Sequence, residues 1–331
     1  MDGLLKDGII DWLLSGDNPS VKYFTFKNLL GKPSCREARE AKSNIMEFGP
    51  VPKILEKQNE GGYWGRPEDF YVRSKYKGTV WQIIILAQLG ADKNDKRIRD
   101  ACNFILDYSY IRGTGGFSYK GSKETGGEKE GLLPCLTGNM VWCLTKFGYL
   151  KDPRVQKSIN FIAKFQRFDD GIANPPAGWP YDRYEGCWGR HSCHMGIVKS
   201  LKGLAEIQEK ERSKDVWVAI GKAAEYLLRH RIYKRSKNLD RVSKPVWLKF
   251  GFPLMWNTDV LEILEILTSL GYKDKRMEDA INLFMSKKDS TGRWKLEDTY
   301  NGRFLVNIEK KGRPSRWITM KTLKVLKNFA G

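Results

Sequence analysis

Residues Tyr184 to Gly196, YEGCWGRHSCHMG, concentrate side chains that can bind a metal or move a proton. Two of the three histidines and two of the six cysteines of the chain lie within eight residues. Cys187, His191 and His194 are spaced by four and three residues, so a helix through them would place all three on one face. Thiolate and imidazole are zinc ligands, and three protein ligands with one open position form a catalytic zinc site. The spacing therefore suits a zinc ion bound by Cys187, His191 and His194, as one of three interpretations.

Two other interpretations of this segment stay open. Without a metal, His191 and His194 could act as general acid and base, with Asp170 in the preceding segment as a third catalytic group. Alternatively, a helix that starts after Gly189 and Arg190 would leave Cys187 outside it, and the histidines would only pack between helices.

The composition indicates one large folded unit, and we expect a single domain over residues 1–331. The chain is 41% hydrophobic and 12% aromatic, which is enough for a sizeable core. Its cysteines are scattered and no basic leader precedes an apolar segment, so we expect free thiols and a cytoplasmic protein. No apolar run reaches the length of a membrane span, and we expect no stable membrane insertion. The net charge of +19 indicates an anionic partner.

An internal repeat of about sixty residues organises the chain. DKRIRDACNFIL from Asp95, DPRVQKSINFIA from Asp152 and DKRMEDAINLFM from Asp274 align, and a weaker copy starts at Asp215. Each copy has apolar residues at helical spacing after an aspartate placed like an N-cap. A glycine typical of a helix end precedes three of the copies, at Gly90, Gly148 and Gly271.

These patterns predict six pairs of helices. The first helices are expected near residues 4–15, 36–58, 96–107, 153–165, 215–230 and 275–287, and the second helices near 19–30, 78–90, 134–148, 190–208, 254–270 and 315–329. The connections within most pairs are about twenty residues long, whereas those between pairs are short. If the helices alternate in direction, the long loops all emerge at one end, where functional residues are expected.

The long loops are rich in basic and aromatic residues. Between Arg231 and Lys249 there are seven basic residues and one acidic residue, and between Arg293 and Arg316 there are seven basic and three acidic residues. A diphosphate, an acidic lipid head group or an anionic polymer would suit this charge. The candidate substrate-binding residues are Arg66, Tyr181, Arg183, Trp188, Lys244, Trp247, Trp256, Arg303 and Lys311.

Two of the loops carry a recognisable motif. KQNEGGYW places Gln58, Gly62 and Trp64 in a Q-x3-G-x-W arrangement, and KKDSTGRW repeats it with Lys288 in place of the glutamine. A looser copy has Gln166 and Gly171. The motif resembles the repeat signature of squalene-hopene cyclases, in the terpenoid cyclase and protein prenyltransferase superfamily, and the chain also resembles prokaryotic squalene-cyclase-like proteins.

The resemblance implies an all-α fold, an (α/α)6 toroid in which outer and inner rings of helices surround a central cavity. It also implies that Trp64 and Trp294 are structural clamps. The implied function is binding or conversion of an isoprenoid-type lipid, anionic as its diphosphate, in the central cavity.

The resemblance leaves catalysis open. The chain has neither the D-x-D-D acid motif of class II cyclases nor a D-D-x-x-D magnesium motif, and Asp169-Asp170 is the nearest approach. Glu185-Gly186-Cys187 resembles the place where prenyltransferases bind zinc, but glutamate replaces aspartate there and no matching downstream histidine is found.

Two further functions remain as alternatives. A toroid lyase or hydrolase acting on an acidic polysaccharide would use the basic residues to neutralise carboxylates. A non-enzymatic helical-repeat protein would bind nucleic acid through phosphates, although clustering of the charge on glycine-rich loops argues against it. No protein partner is indicated.

Overall fold

The structure is built mainly from α-helices. The computed structural model describes residues 7–172 and 174–331. The helices in these residues are α1 (Asp7–Ser15), α2 (Pro19–Phe24), α3 (Arg36–Asn44), α4 (Pro50–Leu55), α5 (Thr79–Leu89), α6 (Lys96–Tyr108), α7 (Pro134–Lys146), α8 (Pro153–Phe165), α9 (His194–Ala205), α10 (Lys214–Arg229), α11 (Val260–Ser269), α12 (Glu278–Ser286) and α13 (Arg316–Ala330).

Two small antiparallel hairpins interrupt the helical pattern, so the expectation of an all-α chain holds only for the main elements. One pairs β1 (Gly121–Ser122) with β2 (Gly126–Gly127), and the other pairs β3 (Lys234–Arg235) with β4 (Asn238–Val242). Both lie in long connections, between α6 and α7 and between α10 and α11. A two-stranded hairpin is marginally stable alone, and the first of these packs on α6 through both of its strands.

Six of the helices line one cavity, and we call them the inner helices. The inner helices α2, α5, α7, α9, α11 and α13 all contribute side chains to a single cavity. Neighbours among them are in contact, including α7 with α9, α11 with α13, and α13 with α2. The other helices pack on the outside, for example α8 and α10 against α9. None of the helices in the described residues is long and apolar enough to cross a membrane.

The outer helices α6 and α8, and the 3-10 turn Lys275–Met277 that leads into α12, begin with the same aspartate–arginine cap. In each, one carboxylate oxygen accepts the backbone N–H two residues later at 2.8 Å, and the guanidinium at that position binds the same carboxylate. The pairs are Asp95–Arg97, Asp152–Arg154 and Asp274–Arg276. Such a cap satisfies backbone donors that the helix leaves unpaired. In the weaker copy Ser213 is the cap, and Asp215 lies in the first turn.

Several helix ends differ from the sequence pattern. The helix expected over 36–58 is divided into α3 and α4, because Gly49 has a positive φ of 83° and Pro50 starts a new helix. The helices expected from residues 190 and 254 begin later, at His194 and Val260. The guanidinium of Arg167 binds the carbonyls of residues 188–190, which fixes that segment in a non-helical course.

Trp64 and Trp294 join outer to inner helices in the same way. Both are buried, and each donates its indole N–H to a carbonyl ten residues earlier and its backbone N–H to a threonine hydroxyl of an inner helix. The partners are Ile54 (2.8 Å) and Thr79 (3.1 Å) for Trp64, and Phe284 (2.7 Å) and Thr319 (3.1 Å) for Trp294. Gln58 reaches the next outer helix, where its amide donates to the carbonyl of Arg97 at 2.9 Å.

Candidate functional site

The central cavity has a volume of about 350 Å³ and is surrounded by the six inner helices. It lies at the C-terminal ends of α5, α7 and α9, opposite the long loops. Five lysines and three glutamates line it. They are Lys27, Lys146, Lys202, Lys321, Lys324, Glu206, Glu262 and Glu265.

Glu262 of α11 is bound by two lysines of α9. The Nζ atom of Lys199 lies 2.6 and 2.8 Å from the two carboxylate oxygens, and that of Lys202 lies 2.9 Å from one of them. The side chain of Lys199 is 0% exposed and that of Glu262 is 4% exposed. A buried glutamate between two lysines leaves one positive charge uncompensated.

Glu265, one helical turn further along α11, has the same arrangement with α13. The Nζ atoms of Lys321 and Lys324 lie 2.7 and 3.0 Å from its carboxylate oxygens. Both lysine pairs have a spacing of three residues, so each pair lies on one face of its helix. Helix α11 is therefore joined on both sides by ion-pair triads of identical composition.

A third charged group completes this wall of the cavity. Glu206 accepts hydrogen bonds from Lys146 at 3.3 Å and from the indole N–H of Trp142 at 3.1 Å. The ammonium group of Lys202 lies 3.9 Å from the centre of the Trp142 ring, a favourable cation–π distance.

Burial and charge oppose each other in these groups. Burial disfavours ionisation of Glu262, but the charges of Lys199 and Lys202 outweigh it and lower its pKa to about 2. The same balance holds the pKa of Glu265 well below its ordinary value. Burial lowers the pKa of Lys199 to about 8, against the opposing influence of Glu262. Glu262 therefore stays ionised near neutral pH, and a large desolvation cost falls on Lys199.

The cavity also has apolar surface. Phe24, Ile266, Trp317 and Met320 line it together with two alanines, beside the uncharged polar residues Asn28, Gln88 and Ser269. The cavity thus combines an excess of positive charge with aromatic and aliphatic surface. Such a lining suits a ligand that has an anionic group and an apolar part.

A second, smaller cavity of about 140 Å³ lies at the long-loop end. Three of the nine predicted binding residues line it, Lys244, Trp247 and Trp256. Two more contact its walls: Lys311 lies 3.9 Å from Asp298, and the guanidinium of Arg303 lies 6.0 Å from the centre of the Tyr300 ring.

The other four predicted binding residues lie outside both cavities. Trp188 is buried in a small cluster with Ile111, Leu132 and Phe161. The hydroxyl of Tyr181 donates to the carbonyl of Phe165 at 3.1 Å. Arg183 pairs with the neighbouring Asp182, and Arg66 is exposed on the first long loop.

The three predicted zinc ligands do not share a helical face. Cys187 lies in a short π-helical turn, Tyr184–Trp188, that ends before α9. His191 is exposed between the two elements, and His194 is the first residue of α9, stacked on Trp247 with ring centres 4.0 Å apart. Over residues 7–172 and 174–331, no three His, Cys, Asp or Glu side chains are arranged to hold a metal ion. Zinc stays a prediction.

The predicted catalytic Asp170 has a partner that the sequence pattern did not indicate. Its carboxylate lies 2.5 Å from Nε2 of His230 at the end of α10. The Nδ1 atom of His230 lies 2.9 Å from the carbonyl of Lys234, to which it must donate. His194 lies 6.3 Å from His230 between ring centres, and Nδ1 of His191 lies 3.3 Å from the backbone oxygen of Asp170. Asp170 thus lies near His191 directly and near His194 through His230, and the catalytic roles of the three residues stay a prediction.

Asp259, which also borders the small cavity, is a buried carboxyl group missed by the sequence pattern. It caps α11, and its oxygens accept the backbone N–H groups of Gly251 and Glu262, each at 2.8 Å. Burial nevertheless raises its pKa to about 7.

No protein-family model matches this chain, and no curated protein matches it. Among solved structures, it is similar to a protein from Actinoplanes, with 14% identity and a TM-score of 0.45 over 95% of this chain and 90% of that one.

Type II terpene cyclases are also among the similar structures. A variant of the type II terpene cyclase MstE from Scytonema, without ligand, matches with 13% identity and a TM-score of 0.42 over 98% of both chains. Another variant of MstE, in complex with its substrate geranylgeranyl dihydroxybenzoate, matches with 14% identity and a TM-score of 0.32 over 87% of this chain and 97% of that one.

The charged wall of the central cavity was not anticipated from the sequence. The sequence nonetheless contains a sign of this charged wall. Pairs of lysines or of glutamates lie three residues apart within largely apolar helices. Examples are Lys199 and Lys202 in HMGIVKSLKGLA, and Glu262 and Glu265 in VLEILEILTS. In a buried helix, charged side chains need partners. The pattern could therefore have indicated pairing between inner helices.

Proposed function

We propose that this protein is an (α/α)6 toroid that binds an anionic isoprenoid, a prenyl phosphate or diphosphate, in its central cavity. The ammonium groups of Lys27, Lys146 and Lys324 bind the phosphate oxygens. Phe24, Ile266 and Trp317 contact the hydrocarbon. The single observation that carries the proposal is the lysine excess, five lysines against three glutamates, beside an apolar wall.

The two parts of this proposal have different support. The anionic head group follows from the cavity, because each triad of two lysines and one glutamate keeps a positive charge that a phosphate can neutralise. The isoprenoid tail follows from the resemblance of the loop motifs to terpenoid cyclases. A cavity surrounded by six helices suits a small molecule better than a polysaccharide or a nucleic acid strand.

The lysine pairs give the site a fixed charge before the ligand arrives. Glu262 and Glu265 hold the lysines of α9 and α13 in place, so little side-chain freedom is lost on binding. The C-terminal ends of α5, α7 and α9 add partial negative charge, which the same lysines offset.

Isothermal titration calorimetry with farnesyl diphosphate tests the proposal, with farnesol and inorganic diphosphate as partial ligands. The diphosphate and the hydrocarbon should both contribute to binding, so farnesyl diphosphate should bind more tightly than farnesol or inorganic diphosphate. Lys324→Gln leaves the Lys321–Glu265 pair intact and should weaken binding about tenfold, as expected for the loss of one charge-assisted hydrogen bond. Lys96→Gln on α6, a largely exposed partner of Asp100, is the matched control and should bind normally.

Two results would refute the proposal. One is no heat of binding with farnesyl diphosphate, and the other is binding that Lys324→Gln leaves unchanged. Product analysis after incubation with the same ligand shows whether binding is followed by conversion.

A further inference from the structure

A buried segment, residues 251–257, crosses the centre of the ring of inner helices just before α11. The Phe252 ring stacks on Trp317 of α13 with ring centres 4.2 Å apart. The carbonyl of Met255 accepts a hydrogen bond from the side chain of Asn139 of α7 at 3.1 Å. Phe252 and Met255 are 2% and 0% exposed. The segment is therefore a fixed part of the core and closes the middle of the ring.

The two cavities meet on opposite sides of this segment, at Gln88 and Leu254. The side-chain oxygen of Gln88 accepts the backbone N–H of Leu254 at 3.0 Å, and its Nε2 donates to the carbonyl of Leu254 at 2.7 Å. Gln88 lines the central cavity, whereas Leu254 lines the small cavity at the loop end. The pair of residues thus separates a space of about 350 Å³ from one of about 140 Å³.

A second contact, at the start of α11, also connects residues of the two cavities. Asp259 borders the small cavity, and its carboxylate accepts the backbone N–H of Glu262, whose side chain lines the central cavity. The two linings also differ in chemistry. Lysine–glutamate triads dominate the central cavity. The small cavity has aromatic surface from Trp247, Trp256 and Tyr300, and its charged lining residues are two lysines and two aspartates, Lys244, Lys249, Asp259 and Asp298.

We propose that Gln88 and Leu254 form a partition that limits the length of the apolar chain bound in the central cavity, and that the small cavity lies beyond this partition. The inference rests on the proposed function. The intact protein takes a short prenyl diphosphate, whose chain ends at the partition. A longer chain needs the small cavity with its aromatic rings, which becomes available when the partition is removed.

The experiment compares geranyl, farnesyl and geranylgeranyl diphosphate by isothermal titration calorimetry. The wild-type protein should bind the shorter chains more tightly. Leu254→Ala truncates a residue that lines the small cavity and keeps the backbone hydrogen bonds to Gln88. Its preference should shift toward the longest chain by about tenfold or more, because additional methylene groups become buried.

Two variants make the result interpretable. Gln88→Ala opens the partition from the side of the central cavity and should shift the preference in the same direction, even if Leu254→Ala does not fold. Met255→Ala truncates a neighbouring core residue that lines neither cavity, so it should lose stability and keep the wild-type preference.

The outcomes separate this inference from the proposed function. A chain-length preference that is the same in the wild type, Gln88→Ala and Leu254→Ala, with all three binding, overturns the partition and leaves the central site. An equal shift in Met255→Ala also overturns it, because general loosening would then explain the change. Failure of every prenyl diphosphate to bind the wild-type protein overturns both proposals.

Discussion

Lys199 and Glu262 form an ion pair in the interior of the protein, with the lysine Nζ atom 2.6 and 2.8 Å from the two carboxylate oxygens. The residues are 63 positions apart and belong to neighbouring inner helices, α9 and α11. Burying such charges has a large desolvation cost, and apolar side chains of similar size would often be as stable. An ion pair at this position therefore favours a function of the charge over a purely structural role.

Breaking this pair from one side should be costly. Glu262→Gln leaves Lys199 buried without a counter-charge, and we expect a loss of about 3–5 kcal/mol in the free energy of unfolding. Urea denaturation measures this loss. Glu225→Gln removes the exposed partner of Arg276 and should change stability by about 1 kcal/mol or less. Equal losses in the two variants would show that burial of the Lys199–Glu262 pair has no energetic consequence.

Two helix caps should respond to pH in opposite directions. Burial raises the pKa of Asp259 to about 7 from its ordinary 3.8, so the folded state holds the proton more tightly than the unfolded state does. Its contribution to stability is complete below 3.8 and is lost as the pH rises through about 7. The hydrogen bonds from Arg154, opposed by burial, lower the pKa of Asp152, so its contribution is lost as the pH falls.

Asparagine substitutions test these signs, because an asparagine side chain can still cap a helix. The stability of Asp259→Asn relative to the wild type should increase as the pH rises from 3.8 to about 7. The stability of Asp152→Asn relative to the wild type should instead decrease as the pH rises toward 3.8, because the lowered pKa places the titration of Asp152 in that acidic range. Urea unfolding from below pH 3.8 to about pH 7 provides both curves. Parallel curves for the two variants would show that one of the assigned directions is wrong.

Each tryptophan clamp should contribute separately to stability. Trp64→Phe and Trp294→Phe remove a buried hydrogen bond and leave space beside the smaller ring, which should cost about 1–3 kcal/mol each. Trp217→Phe alters a side chain that is 41% exposed and should change stability by less than about 0.5 kcal/mol. The free energies come from urea denaturation monitored by circular dichroism. Losses in the clamp variants no greater than in Trp217→Phe would contradict a clamping role.

The zinc prediction has a direct chemical test. If Cys187, His191 and His194 bind zinc, the protein purified without chelators contains one zinc ion per chain, and Cys187→Ala and His191→Ala lose it. Elemental analysis by mass spectrometry measures the ratio. Zinc at the same background level in the wild type and both variants would eliminate the site.

The helices could be predicted from the sequence because their ends are encoded locally. The aspartate caps at Asp95 and Asp152 and the glycine at Gly90 act within one or two turns, and the predicted ends there agree closely with the observed ones. The late start of α11 depends instead on residues 251–257 being held by side chains of α5 and α7. Such long-range contacts leave no periodic signal.

The candidate site was less predictable for the same reason. Sequence reasoning placed function at the basic loops, and Lys244, Trp247 and Trp256 do come together there. The triads around Glu262 and Glu265 require three inner helices to be neighbours in space. A charge run on a loop is visible in the sequence, whereas pairing across the interior becomes visible only once the helices are arranged around the cavity.

Lysine footprinting with an acylating reagent tests the central claim most directly, because it shows where an anionic isoprenoid binds. In the presence of farnesyl diphosphate, modification of Lys27, Lys146 and Lys324 should fall, as measured by mass spectrometry of peptides, while Lys244 and Lys249 at the loop end should react as before. Protection of Lys244 and Lys249 with continued reaction of the central lysines would contradict the account.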